Sequence, residues 1–531
     1  MAYYRGVTTP DPDEGAGDEY SPVERPDRVR RRIGCWRRLA LGLIGTLAAI
    51  AGVCVIRAAF FFPSRQLTAR PAPPFAARAG FAERLGRAIQ FRTFVSDSNR
   101  ADDRAEFVVL RQFLESEFPA VHRRLEREVV DHSTLLFRWR GNDPSVAPVL
   151  LMSHLDVVPV EVGTEDNWTH PPFSGRIADG FIWGRGALDV KSGALGLLEA
   201  AEQLLEEGFQ PSGDVYLALG HDEETGGDGN RKAAELLRER GVRFRFVLDE
   251  GGGLTEGIIA GIDRPVAFVG LAEKGYATIR ISARADGGHA SMPPPHTAVG
   301  VVSAVVSRLE SDPFPARIDG ATAAMLDFIG PESAWPLRIG LANRWLTGGL
   351  VLRQFAAKPS LDALARTTTA ATMVRGGETA NVLPKRAEAL VNVRLLPGDS
   401  SNSALRRIAD EARRLGFDDK SVTCSLEGQV SEPSRVSSVE SEGFRSLQRT
   451  IAEVYPDAVV APGLTMAATD SRYYASIAED VYRFLPLRIT TDDLQRFHGV
   501  DERISVETYE RMIGFLARLV ENLAARSKGG R

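Results

Sequence analysis

Two kinds of apolar pattern alternate along the chain from residue 146 onward. "APVLLMSHLD" is a short continuous apolar run and predicts a buried strand. "GALGLLEAAEQLLEEG" repeats apolar residues at helical spacing and stops at Gly208. "DVYLALGHDEE" predicts a strand, "NRKAAELLRERG" a helix and "FRFVLDEGG" a strand. Strand, helix, strand, helix, strand is the order of a mainly parallel sheet with crossover helices on both faces. Ligands of such sheets collect at the carboxyl ends of the strands. Upstream, helical patterns cover roughly 77–92 and 102–117.

The pattern changes near residue 267. "YATIRISARA" alternates like a half-exposed strand, and "AVGVVSAVVSRLE" is an amphipathic helix. "TTTAATMVRGG" and "AEALVNVRLLPG" predict strands, "NSALRRIADEARRLG" a helix and "SVTCSLEG" a strand. The β-α-β-β-α-β order predicts a ferredoxin-like α+β domain over 267–434. Residues 313–366, rich in Pro, Trp and Gly, look like an insertion in it. Helical patterns in "VESEGFRSLQRTIAEVY" and "SVETYERMIGFLARLVENLAAR" predict a return to the first domain. The expected division is therefore an α/β domain over 77–266 and 435–525, interrupted by the second domain, with a tail at 526–531.

The N-terminus adds a different element. Residues 1–38 predict a disordered tail that ends in the basic run "RVRRRIGCWRR". "LALGLIGTLAAIAGVCVI" follows, eighteen uncharged residues that suffice to span a bilayer. A transmembrane anchor over 39–62 and a linker over 63–76 are expected, the alternatives for the apolar run being a cleaved signal peptide or an amphipathic surface helix. The arginines keep the N-terminal side cytoplasmic and place the rest of the chain in a lumen, periplasm or extracellular space. A net charge of −5 argues against nucleic acid as a partner, and three cysteines against a disulfide framework.

Chemistry concentrates at the predicted strand ends. His154 and Asp156 close the first strand, and residues two apart on a strand share a face. Asp189 precedes a helix start in "GRGALDVKSG". Glu223 and Glu224 close the next strand, Asp249 and Glu250 the last, and His498 lies in a loop before the final helix. Adjacent Glu223 and Glu224 should point apart in extended backbone. So many carboxylates in one crevice would repel one another unless divalent cations neutralise them. Two histidines with carboxylates and no thiolate suit zinc, with cobalt or manganese as substitutes. Two ions close together need a bridging ligand, and a carboxylate can serve.

The ordered set "SHLDVVP", "WTHPPFSGRIADGFIWGRGALDVKSG", "GHDEETGG", "LDEGG", "GGHAS", "ANVLP…VNVRLLPG", "TDSRYY" and "HGVDERIS" resembles the M20 metallopeptidase family over about 77–525. Its nearest branch looks like the Gly-X carboxypeptidases and N-fatty-acyl-amino-acid hydrolases. The resemblance implies His154 and Asp249 on one Zn2+, Glu224 and His498 on a second, and Asp189 bridging them; Glu250 is the alternative to Asp249. It implies Glu223 as general base and Asp156 as the residue that holds the His154 imidazole. The second domain would be the family's lid. Arg394 and Asn381 would grip a substrate carboxylate, and His289 would stabilise the oxyanion, often from a partner subunit and hence through a homodimer. Asp470 and Arg472 would line the site. His122, His132, His170, His221 and His296 are left as structural or surface residues. The activity so implied is amide hydrolysis, or its reverse, on N-acyl amino acids with a free carboxylate. The alternatives are removal of C-terminal residues from short peptides and, more remotely, a non-catalytic binding protein. The last is disfavoured because no ligand position has been lost.

Overall fold

A computed structural model describes residues 27–95, 100–257 and 261–524. Of the expected disordered tail at 1–38, residues 1–26 lie outside the described residues, as does the tail at 526–531; residues 27–38 are helical instead and open the helix Asp27–Phe60.

The strand Val149–His154 is buried along its whole length, as its unbroken apolar run requires of a central strand. It pairs in parallel with Val215–Gly220 on one side and Phe244–Asp249 on the other, and Phe244–Asp249 pairs in parallel with Ala478–Arg483. These four parallel strands are the middle of a ten-stranded mixed sheet. Thr134–Trp139 joins antiparallel beyond Val215–Gly220, while Val266–Glu273 meets Ala478–Arg483 antiparallel. The helices Lys191–Glu206, Glu442–Val454 and Val506–Ala524 contribute buried apolar residues to a core on one face. The helix Asp228–Glu239 contributes Ala233, Ala234 and Leu237 to a separate core on the other.

A smaller antiparallel sheet has four strands in the order Thr368–Arg375, Arg386–Leu395, Gly275–Arg284, Val422–Ser431. The helices Ala298–Ser311 and Ser401–Arg414 pack on it around their own apolar core. Within Arg386–Leu395 alternate residues are buried, so one face meets the helices and the other does not.

Three boundaries differ from the sequence expectation. Val266–Glu273 pairs within the large sheet, so the passage to the smaller one falls at Lys274 and not at 267. Strands Val459–Thr465 and Ala478–Arg483, unforeseen in the sequence, return to the large sheet along with the helices. The segment 313–366 is mostly helical, and its apolar residues Met325, Leu326, Phe328, Ile329 and Leu341 join the core of the larger unit. It packs there because Gly320–Ile329 lies on the strand Val459–Thr465. The expected linker is also strapped down: the Gln66 side chain bonds the Val460 backbone in both directions.

A single helix among the described residues, Arg38–Phe60, is long and apolar enough to cross a membrane by length and composition.

Candidate metal centre

Because the four central strands run parallel, their carboxyl ends open on one edge of the sheet. His154 ends the first strand in register with Gly220, and Asp249 ends another opposite Arg483. His154 is almost fully buried, with Nε2 3.1 Å from Asp189 Oδ1 and 3.4 Å from Glu250 Oε1. The other Asp189 oxygen, Oδ2, lies 3.0 Å from His498 Nε2, which is 3.3 Å from Glu224 Oε1. Asp189 thus stands between two imidazoles and offers one oxygen to each. It sits immediately before the helix Lys191–Glu206, and the Asp189–Val190 peptide is cis.

Asp156 has two jobs. Its backbone carbonyl lies 2.9 Å from His154 Nδ1 and its carboxylate 3.4 Å from the same nitrogen. A proton on Nδ1 directed at that carbonyl leaves the Nε2 lone pair facing Asp189. The carboxylate oxygens accept the backbone N–H groups of Glu223 at 3.2 Å and Glu224 at 3.0 Å. The expectation of extended backbone at these two glutamates is corrected here. The strand stops at Gly220, and Glu223–Thr225 is a 3-10 turn whose amides Asp156 holds. Gly227 closes the turn with φ 71°, and a Cβ there would lie 1.7 Å from Asp470 Oδ1.

The aspartate–glutamate pair is also corrected. Asp249 turns away: Oδ1 accepts from Glu250 N at 2.9 Å and Oδ2 from Ser471 N at 2.9 Å. Both oxygens are occupied by backbone amides, and it is Glu250 that faces His154. Donor atoms of His154, Asp189 and Glu224 lie within 4.8 Å of one another, as do those of His154, Glu223 and Glu250.

The electrostatics follow from this crowding. Burial, together with the carboxylates of Asp470, Glu250 and Asp156, pushes Glu223 well above the usual carboxylate range. Burial and the charge of Asp189 push Glu250 to about 7. Burial drives Asp470 to about 8, although Asn230 Nδ2 donates to it at 2.7 Å. Burial works against a charged His154, yet hydrogen bonds to Asp156, Asp189 and Glu250 outweigh it and raise its pKa. Hydrogen bonds to Asp189 and Glu224 raise His498 to about 10. The protein alone therefore balances these carboxylates poorly. Glu224 Oε1 is buried, and the one imidazole nitrogen that reaches it, His498 Nε2 at 3.3 Å, is shared with Asp189. Buried carboxylate oxygens beside two imidazoles, with no thiolate, are the donor set of a hard or borderline divalent cation, and the residues fit one.

Two residues here were not foreseen. Glu502 is fully buried, and its Oε1 accepts the amides of Gly186, Leu188 and Asp189 at 2.9, 2.8 and 3.1 Å. Its Oε2 pairs with Arg185 at 2.6 Å, and Arg185 also donates to the His498 carbonyl at 3.0 Å. This pair ties the loop of Asp189 to the loop of His498, where His498 has φ 59°. The signal in the sequence was their place inside "GRGALD" and "HGVDERIS".

Residues 150–522 match the Peptidase family M20/M25/M40. The chain belongs to that family. Two curated relatives of this M20 chain illustrate the match. One is 41% identical over 448 residues, 83% of this chain and 84% of its own length: the probable carboxypeptidase S-like 2 of Dictyostelium discoideum. The other is the N-fatty-acyl-amino acid synthase/hydrolase PM20D1 of Mus musculus, 37% identical over 84% of this chain and 88% of its own. Among solved structures, the M20 family metallo-carboxypeptidase Sso-CP2 from Sulfolobus solfataricus superposes with a TM-score of 0.61 at 18% identity, over 84% of this chain and all of that one. With this membership and these relatives, the M20 chain is a metallopeptidase-type hydrolase.

The remaining M20 candidates divide into two places. Arg472 stacks on the Tyr473 ring at 4.7 Å and donates to the Gly226 carbonyl at 3.0 Å, supporting the turn that carries Glu223. His289 and Asn381 meet on a short antiparallel ribbon, where Ala290 N donates to Asn381 O at 3.0 Å. Both are exposed, and His289 Nδ1 lies 2.7 Å from the Ser291 hydroxyl. Arg394 is exposed on the smaller sheet with its guanidinium 4.9 Å over Tyr276. None of these three makes a hydrogen bond or ion pair with the cluster around Asp189.

Proposed function

We propose that this protein is a membrane-anchored amidohydrolase with two zinc ions, acting in either direction on the amide bond of N-acyl amino acids that carry a free carboxylate. One observation carries the two-ion reading: Asp189 offers one oxygen beside His154 and the other beside His498. His154, Asp189 and Glu250 would hold one ion, and Asp189, Glu224 and His498 the other. When bound, the ions supply Lewis acidity that polarises the amide carbonyl and acidifies a water. Glu223, kept protonatable by its buried surroundings, takes the proton of the attacking water and delivers it to the leaving amine. Arg472 and Asp156 keep the Glu223 turn in place from opposite sides. Arg394 and Asn381 receive the substrate carboxylate and His289 the developing oxyanion, once the smaller unit closes as a lid over the strand ends. Such a lid offers a surface for a homodimer. The helix Arg38–Phe60 anchors the chain with its N-terminus in the cytoplasm and the catalytic part lumenal, periplasmic or extracellular.

The acyl-amino-acid substrate class rests on the likeness to the N-fatty-acyl-amino acid synthase/hydrolases. The greater identity to a carboxypeptidase S-like protein supports a second reading, release of C-terminal residues from short peptides. A panel of N-fatty-acyl amino acids against dipeptides, assayed on the full chain with zinc restored, decides between them. Faster turnover of the dipeptides selects the second reading. Glu223→Gln tests the base: zinc content should be unchanged while kcat falls about 10²–10⁴-fold. Undiminished turnover by this variant would remove Glu223 from the mechanism.

A further inference from the structure

The apolar helix Arg38–Phe60 does not stand clear of the rest of the chain. Its C-terminal end packs on the helix Trp335–Ala342, and side chains lock the two together. Asn343 Nδ2 donates to the Cys54 carbonyl at 3.0 Å, Arg338 Nε to the Ala58 carbonyl at 2.9 Å, and the Arg338 guanidinium to the Phe62 carbonyl at 3.2 Å. Asn343 and Ala58 are wholly buried in this contact.

These bonds set a depth. Cys54 lies inside the apolar run, six residues before Phe60, which is roughly 9 Å along a helix axis. If Arg38–Phe60 crosses a bilayer, whatever is tied to Cys54 is held below the level of Phe60. The surface presented at that level is apolar. Trp335, Leu337, Trp345, Leu346 and Leu350 are 53, 41, 63, 54 and 58% exposed. They line the outside of Trp335–Ala342 and of the next helix, Arg344–Ala356. So many large apolar side chains exposed together mark an interaction surface, and exposed tryptophans are the residues that settle at a lipid–water boundary. The charge pattern agrees. Residues 335–358 contain Arg338, Arg344, Arg353 and Lys358 and no acidic residue. Arg338 is consumed by the apolar helix and Arg344 pairs with Asp327, which leaves Arg353 and Lys358 exposed at the far end.

We propose that Trp335–Ala342 and Arg344–Ala356 form a second membrane-inserted element, seated beside the spanning helix in the leaflet on the catalytic side, with a lipid bilayer bearing anionic headgroups as its partner. The proposal rests on the anchor assignment made above. Continuity with the apolar helix selects lipid as the occupant: the exposed face begins where the buried contact with that helix ends. Because Gly320–Ile329 packs on the strand Val459–Thr465, the element is rigidly joined to the large sheet. The catalytic unit is thereby held against the membrane in one orientation, with no freedom to swing on a tether.

The full chain, with Cys35→Ser, Cys54→Ser and Cys424→Ser, is reconstituted in nanodiscs of phosphatidylcholine and phosphatidylglycerol and given single nitroxide labels. Sites are Leu346→Cys, Leu350→Cys, Leu47→Cys in the middle of the apolar run, and Leu415→Cys on the smaller unit. Collision with oxygen, which partitions into lipid, is compared with collision with a water-soluble nickel chelate. The expected result is an oxygen-to-nickel ratio several-fold higher at Leu346, Leu350 and Leu47 than at Leu415. A low ratio at Leu346 and Leu350 with a high one at Leu47 overturns the proposal and leaves the anchor standing. A low ratio at Leu47 removes the anchor and the proposal with it. Shielding of Leu346 and Leu350 from both reagents, with spin–spin broadening, assigns the face to a second copy of this chain and also overturns it.

Discussion

Two backbone amides distinguish Asp249 from Glu250. Asp249 accepts from Glu250 N and Ser471 N, so it orders the backbone of the site, while Glu250 is left to face His154. The two residues should respond differently to neutralisation. Glu250→Gln is expected to lower the metal stoichiometry measured on the dialysed protein, with little change in the melting temperature of the apo form. Asp249→Asn is expected to cost about 1–3 kcal/mol of stability, read from denaturant unfolding, because an amide N–H now faces a backbone N–H. Equal metal loss in both variants would contradict the assignment. His122 offers a test away from the site. Burial and the neighbouring Arg127 lower its pKa to about 4. Between about 6.5, the ordinary value, and 4, the unfolded chain binds a proton that the folded chain does not. Stability from this group is therefore complete above 6.5 and is lost as pH falls toward 4. His122→Phe should flatten the decline of melting temperature over that window, and an unchanged slope would refute it.

At the scale of elements, the loop of Asp189 and the loop of His498 are one construction because Glu502 and Arg185 join them. Glu502→Gln leaves a buried guanidinium without its counter-charge, an effect of about 3–5 kcal/mol when one member of a buried pair is removed. It should also weaken metal binding about 10–100-fold, as loss of a group supporting ligands does. Competition with a chelator measures the second effect independently of the first. The elements also show what the sequence disclosed. Val149–His154 was legible because a strand buried on both faces must be apolar throughout. Ala478–Arg483 was not, although it lies in the middle of the same sheet. Its Asp480 and Arg483 resemble surface residues until Ser438 N and Glu273, both distant in sequence, are seen to pair with them. Val459–Thr465 contains Pro462, which argues against a strand; it is tolerated because this strand pairs on one side only. Of the site, the histidines and acids at strand ends were readable, since strand ends mark a crevice. Which acid of a pair turns inward was not, since that depends on Ser471, 222 residues from Asp249.

Among the described residues the apolar cores fall into two units, those on the two faces of the large sheet and the one under the smaller sheet. Every proposed metal ligand belongs to the first. Metal binding should therefore stabilise the two parts unequally. With zinc at about a thousandfold above its Kd, the larger unit gains about 4 kcal/mol. Calorimetry of the full chain with and without a chelator should show one transition moved by several degrees and a second unmoved. Equal displacement of both would mean that the smaller unit melts only with the larger.

The Glu502 contact also sets a clock on biosynthesis. Gly186 and Glu502 are 316 residues apart in the chain. At about 5–20 residues per second, a ribosome needs roughly 15–60 s to pass from one to the other. Until then His154, Asp189, Glu224 and Glu250 are already made, but His498 and the residue that sets the Asp189 loop are not. A nascent chain carrying four of the five proposed ligands has no means of presenting the fifth. The hydrolase is therefore inert until the ribosome has passed Glu502, and its activity begins only after that point.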